Sequence, residues 1–120
     1  MIDKKQPSNR QLKIGQQIRF LVSNFFIKED FIFENFDSKN LTIVDVTLSD
    51  DLKNAKIFVI TNSVDTNKLF VDELNHKSNL IQKKIASNLT SKFTPKIKFF
   101  VDNSFEYSDK INNILQTINR

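Results

Sequence analysis

The chain has no cysteine and no tryptophan, and among its 120 residues there are one glycine, one histidine, one tyrosine and two prolines. Each shortage closes off some chemistry. Without cysteine there are no disulfides and no thiolate metal ligands, a composition compatible with a reducing compartment. His76 is the sole histidine, so any Ser/His/Asp triad would have to be built on it, and no partner motif accompanies it. One histidine and scattered acids give no metal-ligand spacing. Gly15 sits inside a helical pattern, so neither a GxGxxG turn nor a Walker loop exists. The adjacent Asp50 and Asp51 fall between two strand patterns, where a solvated turn is a better reading than an acid/base pair. A non-catalytic protein without metal or cofactor is therefore expected. Long apolar runs are missing too: none approaches the roughly 20 residues that cross a bilayer, and Met1 to Pro7 holds no hydrophobic signal core. The expectation is a soluble cytoplasmic chain with no membrane partner. Its length suits one domain with a single core, taken to span residues 8–120 behind a flexible stretch at 1–7.

Acidic residues are missing locally. From Lys77 to Lys98 the chain carries Lys77, Lys83, Lys84, Lys92, Lys96 and Lys98 and no Asp or Glu. The net charge of +4 conceals a polarised molecule, because residues 1–26 and 77–120 are basic and residues 27–76 hold ten acids against five lysines. A fold that joins the basic ends would add their fields over one face. Ammonium groups spread along an acid-free segment suit a polyanion, since each can neutralise a phosphate and release a condensed counterion. RNA or DNA is the implied partner class.

Periodicity supplies the layout. Ser8 can cap a helix whose apolar positions Ile14, Ile18, Leu21, Val22 and Phe25 share one face, with Arg10, Lys13 and Gln17 on the polar side. Apolar patches from Phe31 to Phe36 lead to two strand patterns, Leu41 to Leu48 and Ala55 to Ile60. Joined through Ser49 to Asn54, these read as an antiparallel hairpin. A helix from Asp65 or Thr66 to Lys77 uses Leu69, Phe70 and Leu74, and a second from about Asn79 to Lys92 uses Leu80, Ile81, Ile85 and Leu89. Between them Lys77-Ser78-Asn79 marks a kink, with Asn79 expected in the left-handed region that asparagine enters most readily after glycine. Replacing Asn79 by glycine should on this reading be harmless or stabilising. Pro95 ends the helical run. Lys96 to Val101 is a third strand, and Ile111, Ile114, Leu115 and Ile118 stripe a C-terminal helix that begins near Ser104 to Ser108.

The order helix, strand, strand, helix, helix, strand, helix suggests an α+β domain in which helices cover one face of a three-stranded sheet. The αββααβ core is that of a type II KH domain, a fold that clamps single-stranded nucleic acid at the junction of its two central helices. That junction here is glycine-free, so a GxxG clamp is absent.

Three segments resemble the bacterial ribosome-binding factor A family, whose members are KH-like and replace the GxxG loop by a helix pair kinked at Ala-x-Gly. Arg10-Gln-Leu-Lys-Ile-Gly15-Gln-Gln-Ile18-Arg19 is similar to the family's first helix. Thr42-Ile-Val-Asp-Val-Thr-Leu-Ser-Asp-Asp-Leu-Lys-Asn-Ala-Lys-Ile-Phe-Val59 resembles its hairpin, which reads Ser-Pro-Asp-Leu and then Ala-x-Val. Phe93-Thr-Pro95-Lys-Ile97-Lys-Phe99-Phe-Val-Asp102-Asn-Ser104 resembles its third strand. The chain departs from the pattern at Lys77-Ser78-Asn79, at Gln82 where the family has arginine, and at Asp50 where it has proline. The resemblance implies a non-catalytic assembly factor that binds the small (30S) ribosomal subunit, touching 16S ribosomal RNA and possible ribosomal proteins, late in rRNA processing. It also implies a monomer when free and a link to growth in the cold. RNA contacts are expected from Arg10, Lys13, Lys77, Asn79, Lys83 and Lys84, with Lys92, Lys96 and Lys98 as a second tier that could instead solvate or protect a sheet edge. Two alternatives remain: a general KH-like module for single-stranded RNA or DNA, and a small phosphate-ester hydrolase, which the lack of a glycine-cradled anion site disfavours.

Overall fold

The α1 helix, Asn9–Ile27, starts where the capping chemistry says it should. In the computed structural model, which describes residues 6–28, 41–61, 64–90 and 92–102, the Ser8 hydroxyl accepts from the Gln11 N–H at 3.1 Å. The Gln11 side-chain oxygen Oε1 in turn accepts from the Ser8 N–H at 2.6 Å, which completes a capping box. The buried stripe is Ile14, Ile18, Val22 and Phe26, one residue per turn. Phe26, rather than the expected Phe25, closes it, because a row of four-residue steps leaves Phe25 on the shoulder of the helix.

The strands are β1 (Thr42–Leu48), β2 (Asn54–Ile60) and β3 (Lys96–Val101), in the order β1-β2-β3. β1 and β2 pair antiparallel as expected, with an irregularity between Ile43 and Asp45. β2 and β3 pair parallel, Lys56 opposite Lys98 and Phe58 opposite Phe100. A parallel pair needs a crossover, and two helices provide it: α2, Val64–His76, and α3, Ser78–Ala86. The order of the described elements is therefore αββααβ. The expected C-terminal helix and the Phe31 to Phe36 patches lie outside the described residues, as do residues 1–5.

Alternation sorts the sheet into two faces. Ile43, Ala55, Ile57, Val59, Ile97 and Phe99 point inward and are buried with the α1 stripe and with Phe70, Leu74, Ile81 and Ile85 of the crossover. Each Val, Leu, Ile or Phe side chain among these contributes about 1.5–3 kcal/mol through burial. Gly15 lets α1 lie close on β1: a Cβ there would stand 3.2 Å from the Val46 carbonyl oxygen and 3.5 Å from Leu48 Cδ2.

Two expectations need correction. The α3 helix ends at Ala86, not near Lys92. The Asn88 N–H turns back to the Ile85 oxygen at 3.0 Å, and Gln17 of α1 binds both the hydroxyl and the N–H of Thr90. Leu89 still packs on the core from outside the helix, which is why its spacing imitated another helical turn. Asn79 is not left-handed either. The only non-glycine residue with positive φ among those described is Leu52, at 61°. The break between α2 and α3 falls on Lys77, whose φ of −98° and ψ of 5° lie in the sparsely allowed bridge region. Its N–H is shared between Glu73 and Leu74 carbonyls at 3.3 and 3.0 Å, and its own oxygen accepts from Ile81. One residue leaves the helical path and the backbone ladder continues around it, so no left-handed turn is required.

Candidate nucleic-acid interface

Among the described strands β3 is an edge strand, whose outer backbone groups need partners. Asn75, in the last turn of α2, supplies them: its side-chain oxygen accepts from the Phe99 N–H at 2.8 Å, and its amide donates to the Phe99 oxygen at 3.0 Å. This two-bond clasp imitates a strand partner and fixes the α2–α3 junction against β3. Gln82 adds a bond from its amide to the Thr94 carbonyl at 3.3 Å. At the opposite end of α2, buried Asn67 receives both the N–H and the hydroxyl of Thr61, tying the helix to the end of β2.

Between the junction and β3 runs a groove of about 900 Å³ whose wall includes Asn54, Lys56, Asn79, Gln82, Lys96 and Lys98, and no described residue lining it is acidic. The first turn of α3 borders it through Ser78 and Asn79 and carries neither a side-chain cap nor an acid. No carboxylate within that first turn offsets the positive end of the helix dipole. A smaller cleft of about 380 Å³ adjoins Asn79, Gln82, Lys83 and Thr94. The chemistry offered is ammonium groups and amides for phosphate and sugar oxygens. Among the described residues no cluster of three or more His, Cys, Asp or Glu could hold a metal, and no helix is long and apolar enough to cross a membrane.

The expected site residues separate by position. Asn79, Lys96 and Lys98 share the groove, and Lys83 lies beside it with Asn79. Lys84, one residue on, points toward α1, its Nζ 5.3 Å from the centre of the Phe25 ring. Lys77 is the half-buried hinge itself. Arg10 and Lys13 are exposed at the start of α1, outside the groove, on a helix end that Gln11 ties to Leu48 and Asp50. Lys92 is exposed, its Nζ 5.5 Å from the centre of the Phe93 ring. The basic ends of the chain do adjoin, since Gln17 holds Thr90 and Phe25 receives Lys84.

Sequence reasoning missed Lys56, Asn54, Asn75 and Gln82. Lys56 was counted with the acidic middle third, yet the parallel register sets it beside Lys98. Its alternation with Ala55 and Ile57 carried the signal, but only the strand pairing says what stands opposite.

The family model described as ribosome-binding factor A matches residues 10–115. The chain belongs to the ribosome-binding factor A family. It is 34% identical over 116 residues to ribosome-binding factor A of Pelagibacter ubique, covering 97% of this chain and 95% of that one. Against the protein of the same name from Methylocella silvestris it is 30% identical over 112 residues, 93% of this chain and 72% of the relative. The crystal structure of ribosome-binding factor A from Thermus thermophilus superposes with a TM-score of 0.62 at 13% identity, over 76% of this chain and 94% of that one. A homology model of the Thermus thermophilus factor, fitted into the cryo-EM map of its complex with the 30S subunit, gives a TM-score of 0.57 at 13% identity, over 74% and 91%. The family match thus spans residues 10–115, and the likeness of fold covers about three quarters of the chain.

Proposed function

We propose that this ribosome-binding factor A protein is a non-catalytic assembly factor. It binds the small ribosomal subunit and its 16S ribosomal RNA late in maturation, in the cytoplasm, as a monomer when free. The observation that carries the reading is the acid-free groove between the α2–α3 junction and the edge of β3, in a chain whose family match runs from residue 10 to 115. The Thermus thermophilus factor fitted into a 30S complex supports the choice of subunit.

In this reading Asn79, Lys83, Lys96 and Lys98 meet the RNA backbone directly. Lys77 and Lys84 contribute from the hinge and the α1 side, and Arg10, Lys13 and Lys92 extend the basic field beyond the groove. Reversible association of this kind is well served by phosphate contacts, because they are individually weak and exchange with salt ions.

Sedimentation of the protein with isolated small subunits, large subunits and whole ribosomes across a salt series tests this. Co-sedimentation should be selective for small subunits and fall steeply as salt rises. Equal binding to large subunits, or to any free RNA of similar length, would replace the assembly-factor reading with that of a general nucleic-acid module.

A further inference from the structure

The groove does not stop at the edge of β3. It turns onto the sheet face opposite the helices, where Lys56, Lys98 and Phe100 contribute to its wall. On that face Lys56 stands directly opposite Lys98, and Phe58 directly opposite Phe100. The two rings stack at 5.6 Å between centroids with 28° between planes. Lys56 and Lys98 bring their ammonium groups to 5.8 and 5.4 Å from the centre of the Phe100 ring. Among the described residues no carboxylate pairs with Lys56, Lys96 or Lys98. Like charges set directly across a strand pair are unfavourable, so the fold carries a repulsion here that an anion would relieve. The acids of this face stand further along the strands: Asp45 opposite Phe58, and Asp102 two residues beyond Phe100.

Along the strand direction the face thus passes from lysines to aromatic rings, with Asp45 beside the rings and Asp102 beyond them. Residues two apart on a strand are separated by about 7 Å, a span that carries a nucleotide from its phosphate to its base. Bases stack on aromatic side chains whatever their sequence, and only unpaired bases can do so.

We propose that the sheet face on which no described helix packs is a second RNA contact, one that takes single-stranded RNA with a phosphate between Lys56 and Lys98 and bases on Phe58 and Phe100. Resting on the assembly-factor reading, the inference adds that the bound ribosomal RNA includes an unpaired segment passing around the edge of β3 from the α2–α3 junction.

Full-length protein titrated with a labelled single-stranded oligouridylate, and with an RNA duplex of equal phosphate count, tests the proposal. Replacing both rings, Phe58→Leu with Phe100→Leu, keeps apolar bulk and removes stacking. Affinity for the single strand should fall about tenfold or more, with duplex binding unchanged and the thermal midpoint close to that of the parent. No loss, or an equal loss on both probes, overturns the proposal. Neutralising the lysines, Lys56→Gln with Lys98→Gln, should weaken the single strand with little change in the thermal midpoint, because the repulsion removed offsets the two lost contacts with the Phe100 ring. A lower midpoint with unchanged binding overturns it from the other side. A change of sedimentation mass in the ring variant would mark the face as a contact between copies of the chain, and would also overturn it. Parent protein that binds small subunits but not the oligouridylate defeats this inference alone, whereas protein that binds neither defeats the assembly-factor reading as well.

Discussion

Single residues decide where the backbone is strained and where it is not. Leu52 holds φ at 61° in the β1–β2 connection, a conformation that costs a side-chain-bearing residue about 1–2 kcal/mol. Its N–H donates to the Ser49 oxygen at 2.9 Å, and the turn is further tied by the Asp51 carboxylate, which accepts from the Ser49 hydroxyl at 2.6 Å and the Lys53 N–H at 3.0 Å. Leu52→Gly is expected to raise stability by about 1 kcal/mol, read as an upward shift of the thermal midpoint. Asn79→Gly is expected to lower stability by a few tenths of a kcal/mol, because Asn79 is helical and glycine is the poorer helix former. Opposite signs for these two substitutions, in one thermal-melt series, would place the left-handed residue in the hairpin connection and not at the kink. The same turn has a pH signature. The Ser49 hydroxyl, followed by the Lys53 N–H, holds the Asp51 carboxyl below its usual range. A carboxyl depressed on folding contributes stability above its unfolded pKa and loses it as pH falls through the folded value. Melts of the parent and of Asp51→Asn should therefore differ at neutral pH and converge in acid, and a constant gap across the series would refute the assignment.

Among the elements, the crossover matters most, because it carries the groove wall and a few side-chain hydrogen bonds seat it on the edge of β3. Asn75 joins α2 to β3 through both polar atoms of its amide, and its removal leaves the Phe99 N–H and oxygen without those partners. Asn75→Ala should cost about 1–3 kcal/mol. Amide hydrogen exchange checks the mechanism, since faster exchange at Phe99 and in α3, with α1 unaffected, is expected if the clasp is what seats the junction. The α1 interface is tight in a different way: Gly15→Val would push carbon into the Val46 carbonyl already 3.2 Å from a Cβ, a form of overpacking that costs about 1–3 kcal/mol. These contacts also explain what the sequence made legible. The Ser8 cap, the hairpin and the Lys96 to Val101 strand follow from chemistry within a few residues, and were readable. The end of α3 was not, because Gln17, 73 residues away from Thr90 in sequence, holds the chain after Ala86. The kink was readable as a place but not as a conformation, since which residue leaves the helix depends on how Asn75 and Gln82 dock the two halves on β3. Half of the groove was likewise visible as an acid-free run, while Lys56 entered it only through a parallel register.

Over the whole molecule, charge is arranged by fold and not by sequence proximity, and Lys83 and Lys84 show the difference. Successive helical residues point about 100° apart, so these neighbours serve different surfaces. Lys83 borders the cleft with Asn79, Gln82 and Thr94, whereas Lys84 lies over Phe25 on the α1 side. If the groove is the path of the ribosomal RNA, charge reversal at the two positions should have unequal effects. Lys83→Glu should weaken association with small subunits and reduce the magnitude of the salt slope by about 0.7–0.9, the loss of one phosphate contact, with little change in the thermal midpoint. Lys84→Glu should weaken association less and lower stability by about 0.5–1 kcal/mol through the lost contact with the ring. Both variants, assayed by co-sedimentation across the same salt series and by thermal melts, separate a located contact from a diffuse field. Equal weakening with equal slopes would mean that the subunit senses only the net positive charge of this side of the molecule, and the groove would lose its claim as the binding path.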